Sequence, residues 1–351
     1  MRDPEQRPSQ IRRTRRAFLK LSAAAGLGFR LRPFTMPPEP GLHYLERAAF
    51  TMGSIVTVKA YAADPQIGAI SIEKAFAQMK TVDRLASVFD PLSQLSVVNR
   101  DAHTREVPVD QPVVEIIDYA RRFHGLTGGA FDVTVEPLME LYGFRDAPDS
   151  RRRFPSDRQI GAALDAVGMD KVVVDHANLR IGLSRPGTEL DFGGIAVGYA
   201  LDRAAEALIR AGGVHAALLN HSGDLLAVGS PPGEDGWEIG ITDPSAPEEI
   251  ITTARIRDRA LSTSGNYRNF IRSEDRTIGH ILDPHSGVSP AAVLSTTAIA
   301  RTAVEADAMS TAFFVLGVER SRQVLSRFEE AELIAVVAEG DNEEILRIGG
   351  S

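Results

Sequence analysis

Cysteine is absent from the 351-residue chain. A chain without thiols forms no disulfides, thiolate metal sites or iron–sulfur clusters, and it has neither a cysteine nucleophile nor a cysteine for lipid attachment. Tryptophan occurs once, and no apolar run approaches the roughly 20 residues that a membrane-spanning helix needs. With 43% hydrophobic and 25% charged residues, the composition is that of an ordinary globular protein with a sizeable core.

Several widespread catalytic motifs are also missing. The chain has no GxxxxGK[ST] phosphate-binding loop, no HExxH zinc motif and no GxSxG nucleophile elbow. Its glycine-rich segment GGIAVG, at residues 193–198, does not have the GxGxxG spacing of a dinucleotide-binding fingerprint. The sequence therefore gives no support to the common nucleotide-binding and hydrolase classes.

Basic residues are concentrated at the start of the chain. Residues 1–40 contain nine basic and three acidic side chains, which leaves 30 basic and 44 acidic groups in the remainder, a net charge of −14. Such a body repels phosphate-rich polymers and anionic membranes at long range. We therefore expect no nucleic-acid partner.

The basic start of the chain has the pattern of a twin-arginine export signal. Arg15 and Arg16 precede a short apolar run, rich in Ala and Gly, at residues 21–29. A basic region before an apolar run too short to span a bilayer is typical of a signal peptide, and the paired arginines indicate the twin-arginine route. A basic disordered tail is the alternative. We therefore divide the chain into a signal and linker at 1–40 and one domain at 41–351, and expect a periplasmic product without a direct membrane anchor.

The remaining sequence alternates groups of short strands with helices. Apolar residues at helical spacing predict helices, and short apolar runs between turn residues predict strands. The main helices are expected at residues 72–86, 113–127, 195–210, 304–316 and 319–328, and one of the short strands at 280–282. Runs of strands with helices between the runs favour an α+β fold, which we expect to be a single domain of mixed, largely antiparallel sheets with packed helices.

A double glycine lies between a predicted strand and a predicted helix. Gly193 and Gly194 directly precede the helix expected at 195–210. Glycine allows a backbone to approach a ligand closely, and the N-terminus of a helix offers unpaired N–H groups that suit a phosphate. A tight turn without a ligand explains the same pattern.

Three further segments contain side chains with the chemistry of a site. Asp307 and Thr311 lie four residues apart on one face of a predicted helix, and their hard oxygens suit magnesium, although an exposed polar pair has the same spacing. His280, at the start of HILDPHSG, is either a general base or a structural histidine. The loop GGAFD at 128–132 could hold a planar ring, or could simply cap a helix.

Taken in order along the chain, these segments resemble the ApbE family, the FAD:protein FMN transferases, from about residue 51 to residue 317. The matching strings are MGS at 52–54, SVF at 87–89, SQLSVVN at 93–99, GAFDVTV at 129–135, PL at 137–138, YGF at 142–144, DFGGIAVGYALD at 191–202, NHSGD at 220–224, TSGNY at 263–267, HILDPHSG at 280–287 and EADAMST at 305–311. Several strings are long and specific, which argues against chance agreement.

The resemblance implies an enzyme that binds FAD with Mg²⁺, cleaves its pyrophosphate and transfers FMN to a Thr or Ser hydroxyl of an acceptor protein. The products would be a phosphoester and AMP. The acceptor would be an exported flavoprotein domain of a membrane redox complex, and twin-arginine export resembles the branch associated with nitrous-oxide reductase maturation. An FAD pyrophosphatase that yields FMN and AMP, and a periplasmic flavin carrier without chemistry, are the alternatives.

The resemblance also implies, position by position, the residues of the site. The flavin contacts would be Met52, Phe89, Ala130, Phe131, Asp132, Asp191, Val197 and Ile281. The metal would be held by the backbone carbonyl of Gly194 and by Asp307 and Thr311, with Ser310 close by. His280 would be the base for the acceptor hydroxyl, and Asp307 would be catalytic through the metal that it holds.

Several positions depart from the family pattern, among them His285, where Arg is frequent, and His221 with Ser222, where the pair is usually more apolar. Val197 stands where many relatives have Lys, so a charge contact to the nucleotide is lost and the balance between transfer and hydrolysis is in question. Phe89 stands where Tyr is common, which removes a hydroxyl and keeps the ring. Asp307 and Thr311 are both present, and they favour an enzyme over a carrier.

Overall fold

The computed structural model describes residues 41–145, 154–266, 270–272, 277–339 and 342–350, so the predicted export signal at 1–40 lies outside the described residues. The helices of the described part are α1 (Pro65–Ala86), α2 (Gln94–Asp101), α3 (Gln111–Thr127), α4 (Glu136–Tyr142), α5 (Asp157–Leu164), α6 (Ala196–Ala211) and α7 (Ala303–Leu325). None of these helices is both long enough and apolar enough to cross a membrane.

The strands of the same residues are short and mostly consecutive in the second half of the chain. They are β1 (His43–Thr51), β2 (Ser54–Ala62), β3 (Val107–Pro108), β4 (Val172–Asp175), β5 (Arg180–Leu183), β6 (Val214–His221), β7 (Asp224–Val228), β8 (Trp237–Thr242), β9 (Ile250–Ile256), β10 (Ala260–Gly265), β11 (Phe270–Arg272), β12 (Thr277–Gly279), β13 (Val293–Ala300), β14 (Glu332–Glu339) and β15 (Asn342–Gly349).

An eight-stranded sheet forms the centre of the molecule, in the order β1-β2-β6-β7-β10-β13-β14-β15. Every neighbouring pair of strands in it is antiparallel. Smaller antiparallel sheets are formed by β3-β5-β4, by β8-β9 and by β11-β12. The predicted α+β class with largely antiparallel sheets is confirmed.

Both faces of the central sheet are buried, as β6 illustrates. Ala217 and Leu219 belong to the main core, which the helices α1, α6 and α7 share, whereas Ala216 and Leu218 pack on the other side with Trp237 of the β8–β9 hairpin. Successive side chains of a strand point to opposite faces of its sheet. The continuous apolar run AALL therefore has an apolar cover on each side.

Helix α1 begins earlier than its apolar spacing predicts. The side chain of Asp64 accepts hydrogen bonds from the backbone N–H groups of Gln66 and Ile67, at 2.7 and 3.1 Å, and Pro65 occupies the first turn. An N-cap carboxylate and a proline in the first turn are both favourable at the start of a helix. The apolar residues on which the prediction rested are the buried face of this helix.

The helices predicted at 304–316 and 319–328 form one element, α7, with a break at Gly317, where φ is 70°. The start of α7 is fixed by Asp202 of α6, whose carboxylate accepts hydrogen bonds from the N–H groups of Ala303 and Val304 at 2.8 and 2.9 Å. Burial raises the pKa of Asp202 to about 6, although these two donors oppose the shift. Helix α6 therefore sets the position of α7.

The strand predicted at residues 280–282 is wrong. Strand β12 ends at Gly279, and the chain then continues as a loop. The backbone N–H of Ile281 donates to the side-chain Oδ1 of Asn266 at 3.0 Å, so it is not available to a neighbouring strand. Helices α2 and α4 and strands β1, β3 and β11 were not predicted.

Candidate active site

A cleft of about 350 Å³ lies between the first part of α7, strand β10, the loop before α6 and the loops that follow α3 and β12. Most of the residues that the sequence implicates line this cleft: Ala130, Phe131, Asp132, Asp191, Gly194, His280, Ile281, Asp307 and Thr311. They come from segments far apart in the chain. The fold thus brings the predicted metal, flavin and base residues into one place.

The other implicated residues lie behind the cleft or beside it. Ser310 is fully buried. Val197 is half-buried on α6, and Met52 occupies the tight turn between β1 and β2, where its backbone N–H donates to Asp83 Oδ2 at 2.7 Å. Phe89 is 59% exposed, and its ring centroid lies 5.4 Å from Cζ of the cleft residue Arg145. Direct contacts of these residues with a ligand stay predictions.

When ionised, the carboxylate of Asp307 is a buried negative charge in the lining of the cleft. Its side chain is 5% exposed, and its Oδ2 accepts a hydrogen bond from the backbone N–H of Gly198 at 2.9 Å. Burial, together with repulsion from the Asp224 carboxylate, raises the pKa of Asp307 well above its ordinary value. A bound cation stabilises such a charge, because it replaces the lost hydration and offsets the repulsion.

Hydroxyl groups of β10 and α7 form a hydrogen-bonded set with the Asp224 carboxylate in the same region. Ser262 Oγ lies 2.5 Å from Asp224 Oδ1 and 3.1 Å from Ser310 Oγ. Ser264 Oγ lies 2.8 Å from Ser310 Oγ and 3.3 Å from Thr311 Oγ1. Strand β10 presents its two serines on one side because alternate residues of a strand share a face. We call the set the oxygen cluster: Asp224, Ser262, Ser264, Asp307, Ser310 and Thr311.

The oxygen cluster fits a hard divalent cation. Carboxylate and neutral oxygen ligands are those that Mg²⁺ prefers, and it commonly keeps several waters as well. The described residues contain no group of three or more His, Asp or Glu side chains that could hold a metal ion, so such a cation would depend on hydroxyl, carbonyl and solvent oxygens too. The backbone at Gly194 is close enough to take part, since a Cβ there would lie 3.0 Å from Thr311 Oγ1.

An ion-paired arginine lies at another part of the cleft wall. Arg145 donates two hydrogen bonds of 2.8 Å from Nε to the two carboxylate oxygens of Glu136, and its Nη2 forms an ion pair with Asp191 Oδ2. Burial raises the pKa of Glu136 to about 7, even though Arg145 opposes the shift. The ion pairs raise the pKa of Arg145 against the effect of its burial, so it stays cationic.

Asp132 has a structural task in the same wall. Its Oδ1 accepts hydrogen bonds from the backbone N–H and the hydroxyl of Thr134, at 2.8 and 2.5 Å. Its Oδ2 lies 3.2 Å from Nδ1 of His124, and this proximity raises the pKa of the imidazole. The carboxylate therefore shapes the loop that carries Ala130 and Phe131 into the cleft.

Sequence reasoning missed four polar residues of the cleft and its supports: Glu136, Arg145, Ser262 and Ser264. Ser264 lies inside the string TSGNY. It alternates with Ser262, and this alternation was a usable signal. Asp224 lies inside NHSGD, which also fits an ordinary hairpin turn. For Arg145 the local sequence offers no signal, because Glu136 is nine residues away, outside the helical spacings of three and four, and Asp191 belongs to another segment.

Helices α6 and α7 pack closely against each other at Gly198. Replacement of Gly198 by alanine is expected to destabilise the protein by about 3 kcal/mol, the upper end of the range for overpacking a core. A Cβ there would lie 2.3 Å from the carbonyl oxygen of Ala303 and 2.8 Å from Cβ of Asp307, so backbone must move. Urea unfolding followed by circular dichroism measures the change.

The matched control is Gly161→Ala in the exposed helix α5, where a Cβ meets nothing within 4 Å. Alanine is favoured over glycine inside a helix by about 1 kcal/mol, so this variant should be as stable as the wild type or more so. Equal stability of the Gly198→Ala variant and the wild type would contradict the close packing of α6 on α7.

The chain matches a known protein family along most of its length. The family model described as ApbE family matches residues 52–336. A protein of Klebsiella pneumoniae (strain 342) named FAD:protein FMN transferase is 32% identical over 313 residues, which is 88% of this chain and 88% of that protein. A protein of the same name from Escherichia coli (strain K12) is 30% identical over 298 residues, 83% of this chain and 84% of the other.

Solved structures agree. The ApbE protein of Thermotoga maritima superposes with a TM-score of 0.76 at 33% identity, covering 86% of this chain and 97% of that one. The apo form of the flavinyl transferase ApbE of Pseudomonas stutzeri also has a TM-score of 0.76, at 29% identity, covering 88% and 95%. Because the family model spans most of the sequence, and relatives of similar length match in both sequence and fold, this chain belongs to the ApbE family.

Proposed function

We propose that this chain is an FAD:protein FMN transferase that depends on Mg²⁺. The observation that carries the proposal is that most of the oxygen cluster and most of the predicted flavin residues line the same cleft. The names of the relatives that match along most of the chain support the same activity. FAD is the substrate, and a flavoprotein is the acceptor.

In the proposed reaction the hydroxyl oxygen of an acceptor Thr or Ser bonds to the phosphorus of the FMN half of FAD. The bond from that phosphorus to the bridging oxygen breaks, and AMP leaves with the bridging oxygen. Asp307, Thr311 and the carbonyl of Gly194 would hold Mg²⁺, which supplies charge neutralisation at the pyrophosphate when bound. The helix α6, which starts just after Gly194, directs its N-terminal N–H groups toward the same region.

His280 is proposed as the base that accepts the proton of the acceptor hydroxyl. It lines the cleft together with Asp307 and Thr311, and its ring packs edge-on against Phe144 with the ring centroids 6.5 Å apart. This contact restricts the orientation of the imidazole. An imidazole held in one orientation in this cleft is suited to act as a general base.

We also propose that the protein is exported by the twin-arginine route and acts in the periplasm as one domain from residue 41 onward. The paired Arg15 and Arg16 before a short apolar run support this. The acceptor would then be an exported flavoprotein domain of a membrane redox complex, in the branch that serves nitrous-oxide reductase maturation.

The proposed function is tested with the purified full-length protein, FAD, Mg²⁺ and a domain that carries an acceptor Thr. Flavin fluorescence that stays with the acceptor after denaturing electrophoresis, requires Mg²⁺ and is accompanied by AMP is the expected result. Release of AMP and free FMN without a labelled acceptor would indicate an FAD pyrophosphatase. FAD that binds and stays intact would indicate a carrier.

A further inference from the structure

Arg145 is held more firmly than a surface arginine. Its Nε and Nη2 donate to the carboxylate of Glu136, with Nη2 2.5 Å from Oε2, and Glu136 is 2% exposed. The same Nη2 pairs with Asp191, and Cζ lies 5.4 Å from the ring centroid of Phe89. A guanidinium fixed on one edge by two carboxylates loses little entropy when its other edge binds a ligand.

The other edge of this guanidinium is available to a ligand. Among the described residues no hydrogen bond or ion pair involves Nη1 of Arg145, and Arg145 lines the cleft. Asp191 beside it accepts from the backbone N–H of Gly193 at 2.8 Å, and a carboxylate has further lone pairs. A fixed donor therefore lies next to a fixed acceptor on the cleft wall.

We propose, on the basis of the proposed function, that Arg145 and Asp191 together bind the pyrimidine edge of the isoalloxazine ring of FAD. That edge presents two carbonyl oxygens on either side of a ring N–H. Arg145 donates from Nη1 to a carbonyl oxygen, and Asp191 accepts the ring N–H. Phe89, more than half exposed next to the guanidinium, adds aromatic surface at this end of the cleft.

Charge favours the ring over the pyrophosphate at this position. One guanidinium faces two carboxylates, so the set of Arg145, Glu136 and Asp191 is net negative when Glu136 is ionised and neutral when it is protonated. With the pKa of Glu136 raised to about 7 by burial, neither state near neutral pH is cationic. A pyrophosphate gains little binding free energy from this set, whereas the negative charge does not oppose the binding of an uncharged ring.

The test compares two ligands that share the pyrophosphate, FAD and ADP-ribose, of which only FAD has the flavin ring. Arg145→Gln is titrated with each ligand in the presence of Mg²⁺ by isothermal titration calorimetry. We expect FAD to bind about 10- to 100-fold more weakly, as for the loss of a hydrogen bond to a charged group, and ADP-ribose to bind as in the wild type. Arg145→Lys keeps the charge but lacks the second edge of N–H donors. Its affinity for FAD should fall between those of the wild type and Arg145→Gln.

Two further variants make the comparison decisive. Asp191→Asn should also weaken FAD selectively, because it alters the acceptor for the ring N–H. Arg210→Gln is the matched control, since Arg210 is 82% exposed on α6 and pairs only loosely with Glu206, at 3.8 Å. The ratio of the two affinities is measured on one protein sample, so partial unfolding of a variant leaves the ratio unchanged.

Equal weakening of both ligands by Arg145→Gln would overturn the inference and assign Arg145 to the phosphates. Unchanged binding of both would show that Arg145 only braces Glu136 and Asp191. Failure of the proposed function has a separate signature, because it would be a wild-type protein that does not label its acceptor. If that protein still binds FAD, the affinity ratio tests Arg145 independently.

Discussion

Substitution of Asp307 by asparagine is expected to slow FMN transfer by about 10²- to 10³-fold, the usual cost of removing one group that stabilises charge in a transition state. Asparagine keeps the shape of the side chain, and its oxygen can still accept the hydrogen bond from Gly198. The negative charge that would hold Mg²⁺ is lost. Transfer is measured as acceptor fluorescence after denaturation across a series of Mg²⁺ concentrations.

The same variant should be at least as stable as the wild type when metal is absent. Asp307 is buried, and the Asp224 carboxylate repels its charge, so the neutral amide removes an unfavourable interaction. Calorimetric melting in EDTA measures this stability. Added Mg²⁺ should raise the melting temperature of the wild type but not that of the Asp307→Asn variant. Asp165→Asn is the matched control, because Asp165 is 70% exposed and pairs with Arg185 away from the cleft.

Wild-type transfer by Asp307→Asn, with the same Mg²⁺ dependence, would place the metal outside the oxygen cluster. A loss of both activity and fold would leave the two effects mixed, and Thr311→Val then separates them. Valine has nearly the shape of threonine and lacks its hydroxyl. This variant should need a higher Mg²⁺ concentration for transfer while its fold stays intact.

Substitution of His280 by alanine is expected to reduce transfer by about 10²- to 10⁴-fold, the range for loss of a general base. Binding of FAD with Mg²⁺ should stay close to wild type, because His280 lines the cleft but is not itself among the proposed ligands of the metal or the flavin ring. Rapid-quench measurement of acceptor labelling gives the rate, and calorimetry gives the affinity. The cavity left by the ring should allow added imidazole to restore part of the rate.

His103→Ala is the matched control for His280, since His103 is exposed and does not line the cleft. Full transfer activity of His280→Ala would remove His280 from the role of base. A reduced rate without imidazole rescue, accompanied by weaker FAD binding, would instead make it a binding residue. The two outcomes differ in whether the maximal rate or the affinity changes.

The fold class was predictable because it depends on local patterns. Apolar residues at helical spacing place a buried face on α1, and Ile72, Phe76 and Met79 are all on it. Runs of strands without intervening helices predict antiparallel pairing, which the central sheet shows throughout. The prediction failed at residues 280–282, where the side chain of Asn266 takes the N–H of Ile281 and ends the strand early.

Spacing along the chain groups the predicted site residues only where they share one element. Asp307 and Thr311 lie on one face of α7, so their spacing was enough to group them. The serines of β10 complete the oxygen cluster from a different strand. Arg145 pairs with Glu136, nine residues earlier, and with Asp191 in another segment, and no periodicity predicts either contact.

The sequence by itself determined most of the elements, the absence of thiol chemistry, and the presence of a carboxylate, a hydroxyl, a histidine and a double glycine in segments that resemble one family. The tertiary structure alone decided that Asp224 repels Asp307 and that two carboxylates hold Arg145 at the cleft. The reason is physical. Spacing along the chain determines which side chains share a face of one element, whereas sheet register and the packing of α6 on α7 determine which faces meet.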